Sequence, residues 1–350
     1  MKTKWFKSAL YLAVGAMITL GAASCSKDDP VDPKVNPDPK EKPGDKPGEK
    51  PGEKPKTAKM LMPASVEIYV YDGHLHGKKK FHQNSHAAQL KYLGKTYKLV
   101  YTLVDGKWVA NKDNKTVNLL GDTTPIEQAA KVGGGVAAFD IHYFDKDHNE
   151  ITGDYIVNGE NEHYQHFFVA SDIKPGYADV EKKEAVNGLK FFGYEYCDTD
   201  PWNATNHSGK AKFVSENLYV GMKGYFHFVT PYKKFNLEIK LMRAENKLVD
   251  GKLSPFCLPT ADQTAKAEWL PSIVVPVNLF MATSDLELEV DGFDDESIIS
   301  RPESEFSERD RLVIHSLMDA YGIKDFHEAV AEFFWNIAGG GAHDMDNFWF

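Results

Sequence analysis

The chain has 350 residues, 42% of them hydrophobic and 26% charged, enough to bury a substantial core. Acidic residues outnumber basic ones, 51 to 41, for a net charge of −10, which argues against a general nucleic-acid binder. Three cysteines are too few for a disulfide-dense scaffold or a Cys-rich zinc module.

Residues 1–24 read as an export signal. Lys2, Lys4 and Lys7 form a positive leader, an apolar run spans 9–20, and Leu20-Gly21-Ala22-Ala23-Ser24 precedes Cys25. The run is short for a spanning helix. The small residues before Cys25 resemble a bacterial lipobox. Cys25-Ser26-Lys27-Asp28-Asp29 resembles the start of Bacteroidetes-type surface lipoproteins. That resemblance implies cleavage before Cys25, acylation of Cys25, and anchoring in membrane lipid at the outer membrane or cell surface. It covers residues 1–55 and carries no catalytic or sugar-binding motif.

Residues 25–58 then form a tether. Eight prolines fall in the 26 residues from Pro30 to Pro55, with Lys42-Pro43-Gly44-Asp45 echoed by Lys46-Pro47-Gly48-Glu49 and Lys50-Pro51-Gly52-Glu53. Proline removes donors, glycine interrupts any long polyproline helix, and the charged side chains stay hydrated. A spacer that lifts the folded part from a surface is favoured over a proline-recognition ligand.

Beyond residue 60 the pattern is mainly β. Alternating or β-rich runs at 65–71, 97–103, 135–144 and 166–170 suggest a first domain over 60–178. Gly133-Gly134-Gly135 lacks the flanks of a nucleotide cradle and reads as a turn. Runs at 189–194, 218–229, 235–242, 273–279 and 286–290 suggest a second domain over 185–298. Pro276 marks an edge or a break in the fourth of these. The expected architecture is two antiparallel β-rich domains, sandwich-like, with one larger β structure as the alternative, followed by a helical hairpin over 303–350. Ser307 and Asp325 sit where helix caps belong, Gly322 is a stop, and Val330, Phe333, Phe334 and Ile337 share one face. The tail Phe348-Trp349-Phe350 reads as buried packing.

Histidines carry the sharpest chemical signal. In a strand His74 and His76 point to the same side, with His82 and His86 close by. His163 and His166 form a second group, which His142 and His148 reach only through tertiary folding. Neutral imidazoles suit zinc or copper. Haem is the weaker alternative, because no Cys-x-x-Cys-His attachment signal is present. Solvated histidines or backbone-bonded ones are the plain competing reading.

Other motifs are incomplete. No His-Glu-x-x-His, Gly-x-Ser-x-Gly or phosphate-binding glycine loop occurs, and Asp198, His207 and Ser208 make a catalytic set only on paper. Asp291 to Glu296 lacks the EF-hand ligand spacing and reads as an acidic turn. Cys197 and Cys257 could pair in an oxidising compartment. Trp202, within Asp198-Thr199-Asp200-Pro201-Trp202-Asn203, could form a ligand or glycan surface or cap the core.

The sequence thus favours a lipid-anchored envelope protein that binds a divalent transition metal. A glycan- or protein-interaction lipoprotein is the alternative, and an enzyme ranks third.

Overall fold

The computed structural model describes residues 59–124, 135–179, 191–204, 211–291, 295–339 and 348–350. The leader, Cys25 and the proline-rich tether lie outside the described residues, as do His207 and Ser208.

Two sheets dominate. The larger has the order β4 (Lys107–Ala110), β3 (Tyr97–Val104), β1 (Ser65–Leu75), β6 (Gly135–Phe144), β11 (Lys223–Phe228), β8 (Phe192–Tyr196), with β2 (Phe81–Gln83) also paired to β1. The second runs β13 (Glu268–Trp269), β12 (Lys233–Arg243), β14 (Ile273–Ala282), β5 (Val117–Gly121), with β7 (Tyr164–Pro175) also on β12. A small ribbon joins β9 (Thr199–Asp200) to β10 (Lys212–Phe213). β5 lies parallel to β14, so the second sheet is mixed rather than wholly antiparallel.

The expected boundary near 178–185 does not separate the sheets. β8 and β11 extend the sheet begun by β1, β3 and β6, while β5 and β7 belong with β12 and β14. One apolar cluster draws Val66, Ile68 and Val70 from β1, Phe139 and Ile141 from β6, Leu237 and Ile239 from β12, and Val275 and Val277 from β14. At about 25 cal/mol per Å² of apolar surface removed from water, such a cluster is the main stabilising term. It is shared by both halves of the chain.

Local chemistry explains two departures from the expected strands. Pro276 lies within β14, opposite Asn236 of β12, and pairing with β5 starts only at Val277. Its missing donor therefore falls where the strand has a neighbour on one side. The run 286–290 forms no strand. Asp285 accepts a hydrogen bond from the Ala282 N–H at 2.8 Å, closing a helical turn over Thr283–Leu286. The Glu289 N–H then donates to the buried Asp310 carboxylate at 3.0 Å rather than to a sheet.

Among the described residues the α-helices are α1 (Ala261–Lys266), α2 (Glu308–Tyr321) and α3 (Phe326–Gly339). The Ser307 hydroxyl accepts from the Asp310 N–H, and Gly322 ends α2 with φ 70°, where a side chain would be strained. Val330, Phe333 and Phe334 are buried beside Phe280 of β14, but Ile337 is exposed, so the apolar face of α3 is one residue narrower than its sequence suggests. Glu332 of α3 accepts from the backbone N–H groups of Lys91, Tyr92 and Leu93 at 2.7–3.1 Å, pinning the segment between β2 and β3.

Candidate metal centre

Alternation along β1 places Val66, Ile68 and Val70 on the core side, and Asp72, His74 and His76 continue that row. The face changes from apolar to polar at Asp72. Just beyond, the chain reverses through Gly77 (φ 115°) and Lys79 (φ 60°), and the His76 N–H donates to the Lys80 carbonyl at 2.8 Å. β2 returns antiparallel with His82 directly opposite His74. Directly opposed residues share a face, so three imidazoles meet.

His74 Nε2 and His76 Nε2 are 3.1 Å apart, and His76 Nε2 is 3.4 Å from His82 Nδ1. One ring nitrogen from each lies within 4.8 Å of the other two. Among the described residues this is the one convergence of three or more His, Cys, Asp or Glu ligand atoms. His82 is buried, His74 half-buried and His76 exposed, so the cluster opens to solvent on the His76 side.

A polar chain stands behind His74. Its Nδ1 lies 2.7 Å from Asn84 Oδ1, an atom that only accepts, so Nδ1 carries the proton and Nε2 keeps its lone pair. The Asn84 amide donates in turn to Asp72 Oδ2 at 2.9 Å. His86 does not join the three imidazoles; its Nε2 is 3.1 Å from Asp72 Oδ1. Over the other side lies Trp349, stacked on His82 (3.9 Å between ring centroids, 19° between planes) and on His76 (5.0 Å, 25°).

No protein-family model, curated protein or solved structure matches this chain.

The second histidine group falls elsewhere. His166, at the start of β7, is fully buried, with Nδ1 3.2 Å from the Val220 carbonyl and Nε2 2.9 Å from the Tyr143 hydroxyl. Burial pushes it down to about 3, so it is neutral at ordinary pH. His163 directs Nδ1 at the Ala244 and Glu245 carbonyls, 3.1 and 2.8 Å away. Both are backbone-bonded histidines.

His142 and His148 do not approach the cluster either. His142 sits between Asp140 (3.0 Å) and Glu150 (2.6 Å), and His148 stacks on Phe144. Burial lowers the His142 imidazole, but the two carboxylates outweigh it and raise the group to about 9. Sequence spacing missed this arrangement, although Asp140-x-His142 on one strand face was its available signal.

Cys197 and Cys257 are both free thiols, without the disulfide that the sequence allowed. Cys197 is fully buried, with its thiol 3.6 Å from the Glu195 carbonyl. Trp202 is half-buried against the main core and lies over Gly153, where an added Cβ would come within 2.9 Å of its Nε1. Its place is that of packing. In the acidic turn, residues 292–294 lie outside the described residues, and Asp295 caps the Ser297 N–H at 2.9 Å.

Proposed function

We propose that the chain binds a divalent transition metal, zinc or copper, through His74 Nε2, His76 Nε2 and His82 Nδ1. The observation that carries this reading is the spacing of those atoms. Metal–nitrogen bonds of about 2.0–2.1 Å at tetrahedral angles set neighbouring nitrogens about 3.3 Å apart; two of the three pairs stand at 3.1 and 3.4 Å, and all three lie within 4.8 Å. A set of three neutral imidazoles favours metals late in the first transition row, with copper the tightest. The Asn84 contact fixes the His74 tautomer that ligation needs.

Three protein ligands leave a tetrahedral position open toward the exposed His76. An open position suits a metal that is passed on, and also one that carries an exogenous ligand. With all three imidazoles assigned as ligands, none of them is left as a general acid or base, and metal binding is preferred to catalysis. We read the two sheets as facing layers of a sandwich around their shared core. Acylated Cys25 and the tether of 25–58 would hold that body at the outer membrane or cell surface.

Elemental mass spectrometry of the tag-free protein, chelated and then reloaded, tests the metal reading. One zinc or copper per chain, lost in His74→Ala/His76→Ala, is the expected result. Persistent absence of metal after reloading overturns it and leaves the interaction lipoprotein, in which the imidazoles only hydrogen-bond one another.

A further inference from the structure

Where β1 turns polar, the strand beside it tapers. Opposite Val70, Asp72 and His74 stand Phe139, Ala137 and Gly135 of β6. Side-chain volume on that face thus falls from phenylalanine to nothing within five residues. What remains is a cavity of about 310 Å³, walled by the rings of Tyr97, Phe280 and Tyr321 and by Leu119, with Asp72 and Asn84 at the polar end. The space is at the lower end of the range for small-molecule pockets, roughly 300–1,000 Å³.

The walls are held firmly. Three come from strands of the two sheets, and the segment carrying Leu93, Gly94 and Lys95 is clamped by Glu332 through three backbone hydrogen bonds. Asp72 accepts one hydrogen bond on each oxygen, from Asn84 and from His86. An ionised carboxylate has about four acceptor positions, so it can take another donor. Charge narrows the occupant further. A cation would share the cavity with Lys95, and an anion would meet Asp72.

We propose that this cavity binds a small neutral aromatic molecule with one N–H or O–H donor, of the indole or phenol class. The ring lies among Tyr97, Phe280 and Tyr321, where offset or edge-on stacking is favourable, and the donor faces Asp72. The cavity shares His74 with the histidine cluster, but the proposal requires no bound metal.

The test is calorimetric titration of the full protein with indole, in the presence of a chelator so that no metal at the histidine cluster plays a part. Saturable one-to-one binding is expected. Benzothiophene, which keeps the shape but lacks the N–H, should bind about tenfold more weakly, as expected for loss of a hydrogen bond to a charged acceptor. Ala137→Leu, which fills the cavity from β6, should abolish binding of both. Absence of saturable binding, or undiminished binding by folded Ala137→Leu, overturns the proposal. Should that variant fail to fold, the two ligands on the unaltered protein still decide: equal affinity overturns the role of Asp72, and the expected preference supports it.

Discussion

Trp349 lies flat on His82, 3.9 Å between ring centroids and 19° between planes. The indole is thus in direct contact with one of the three imidazoles proposed to hold metal. Copper(II) at that cluster should quench Trp349, because a bound paramagnetic ion would sit within ring-contact distance. Titration of the protein with copper should lower its tryptophan fluorescence with a one-to-one end point. Trp349→Phe should keep the ring cover but lose that component of the change. An unchanged quench in the variant would place the copper elsewhere.

Asn84 sets the proton on His74 without touching the proposed metal position. Asn84→Leu removes the acceptor and leaves His74 free to choose the other tautomer. Zinc affinity should fall about 10–100-fold, the usual cost of losing the partner behind a ligating histidine. His86→Gln, one step further back along the same chain, should weaken affinity less. Competition with a chromophoric chelator gives both numbers.

His142 should make the stability of the protein depend on pH. Its folded value, about 9, lies above the ordinary 6.5 because Asp140 and Glu150 favour the imidazolium more than burial disfavours it. The stabilisation is therefore complete below about pH 6.5 and is lost as pH rises through about 9. Glu67 stands opposite His142 on β1 and adds to the negative surroundings. Urea midpoints of the wild type and His142→Gln should differ most at pH 6 and converge near pH 10. A constant difference across that range would assign His142 a packing role only.

Lys247 has no exposed surface and donates to the carbonyls of Asn161, Tyr164 and Tyr219. Burial pushes Lys247 down to about 7, against the pull of Asp198, also buried, which accepts from the backbone N–H groups of residues 220–223. Lys247→Met leaves three carbonyls without this donor, while Asp198 keeps its four backbone N–H bonds. The expected loss is at least about 1–3 kcal/mol, the cost of leaving a buried acceptor unsatisfied. Denaturant unfolding measures it, and a loss below about 1 kcal/mol would show that water enters the site.

Much of this fold was readable from alternation. The runs at 65–71, 97–103 and 135–144 became strands, and Ser307 and Gly322 bound a helix as their chemistry requires. What escaped was pairing between distant segments. Val117–Gly121 is a short run that forms a strand only because β14 lies parallel beside it. The site shows the same limit. Period-two spacing places His74 and His76 together, but His82 joins them through hairpin register, and His86 lies just past the end of β2, where its carboxylate partner is Asp72. His163 and His166 are neighbours in sequence, yet each meets backbone carbonyls supplied by segments more than fifty residues later.

β2 is only three residues long, and a two-stranded pairing that short is marginal in water by itself. It gains a second neighbour from the last residues of the chain: the Gln83 N–H donates to the Phe348 carbonyl at 2.9 Å, and the Phe350 N–H donates to the Phe81 carbonyl at 3.3 Å. His82 is therefore held in register by contacts that span 265 positions of sequence, between Gln83 and Phe348. The spacing of the three imidazoles thus answers to a distant segment as well as to the local hairpin, and an alteration at 348–350 that releases β2 should loosen the cluster without touching a histidine.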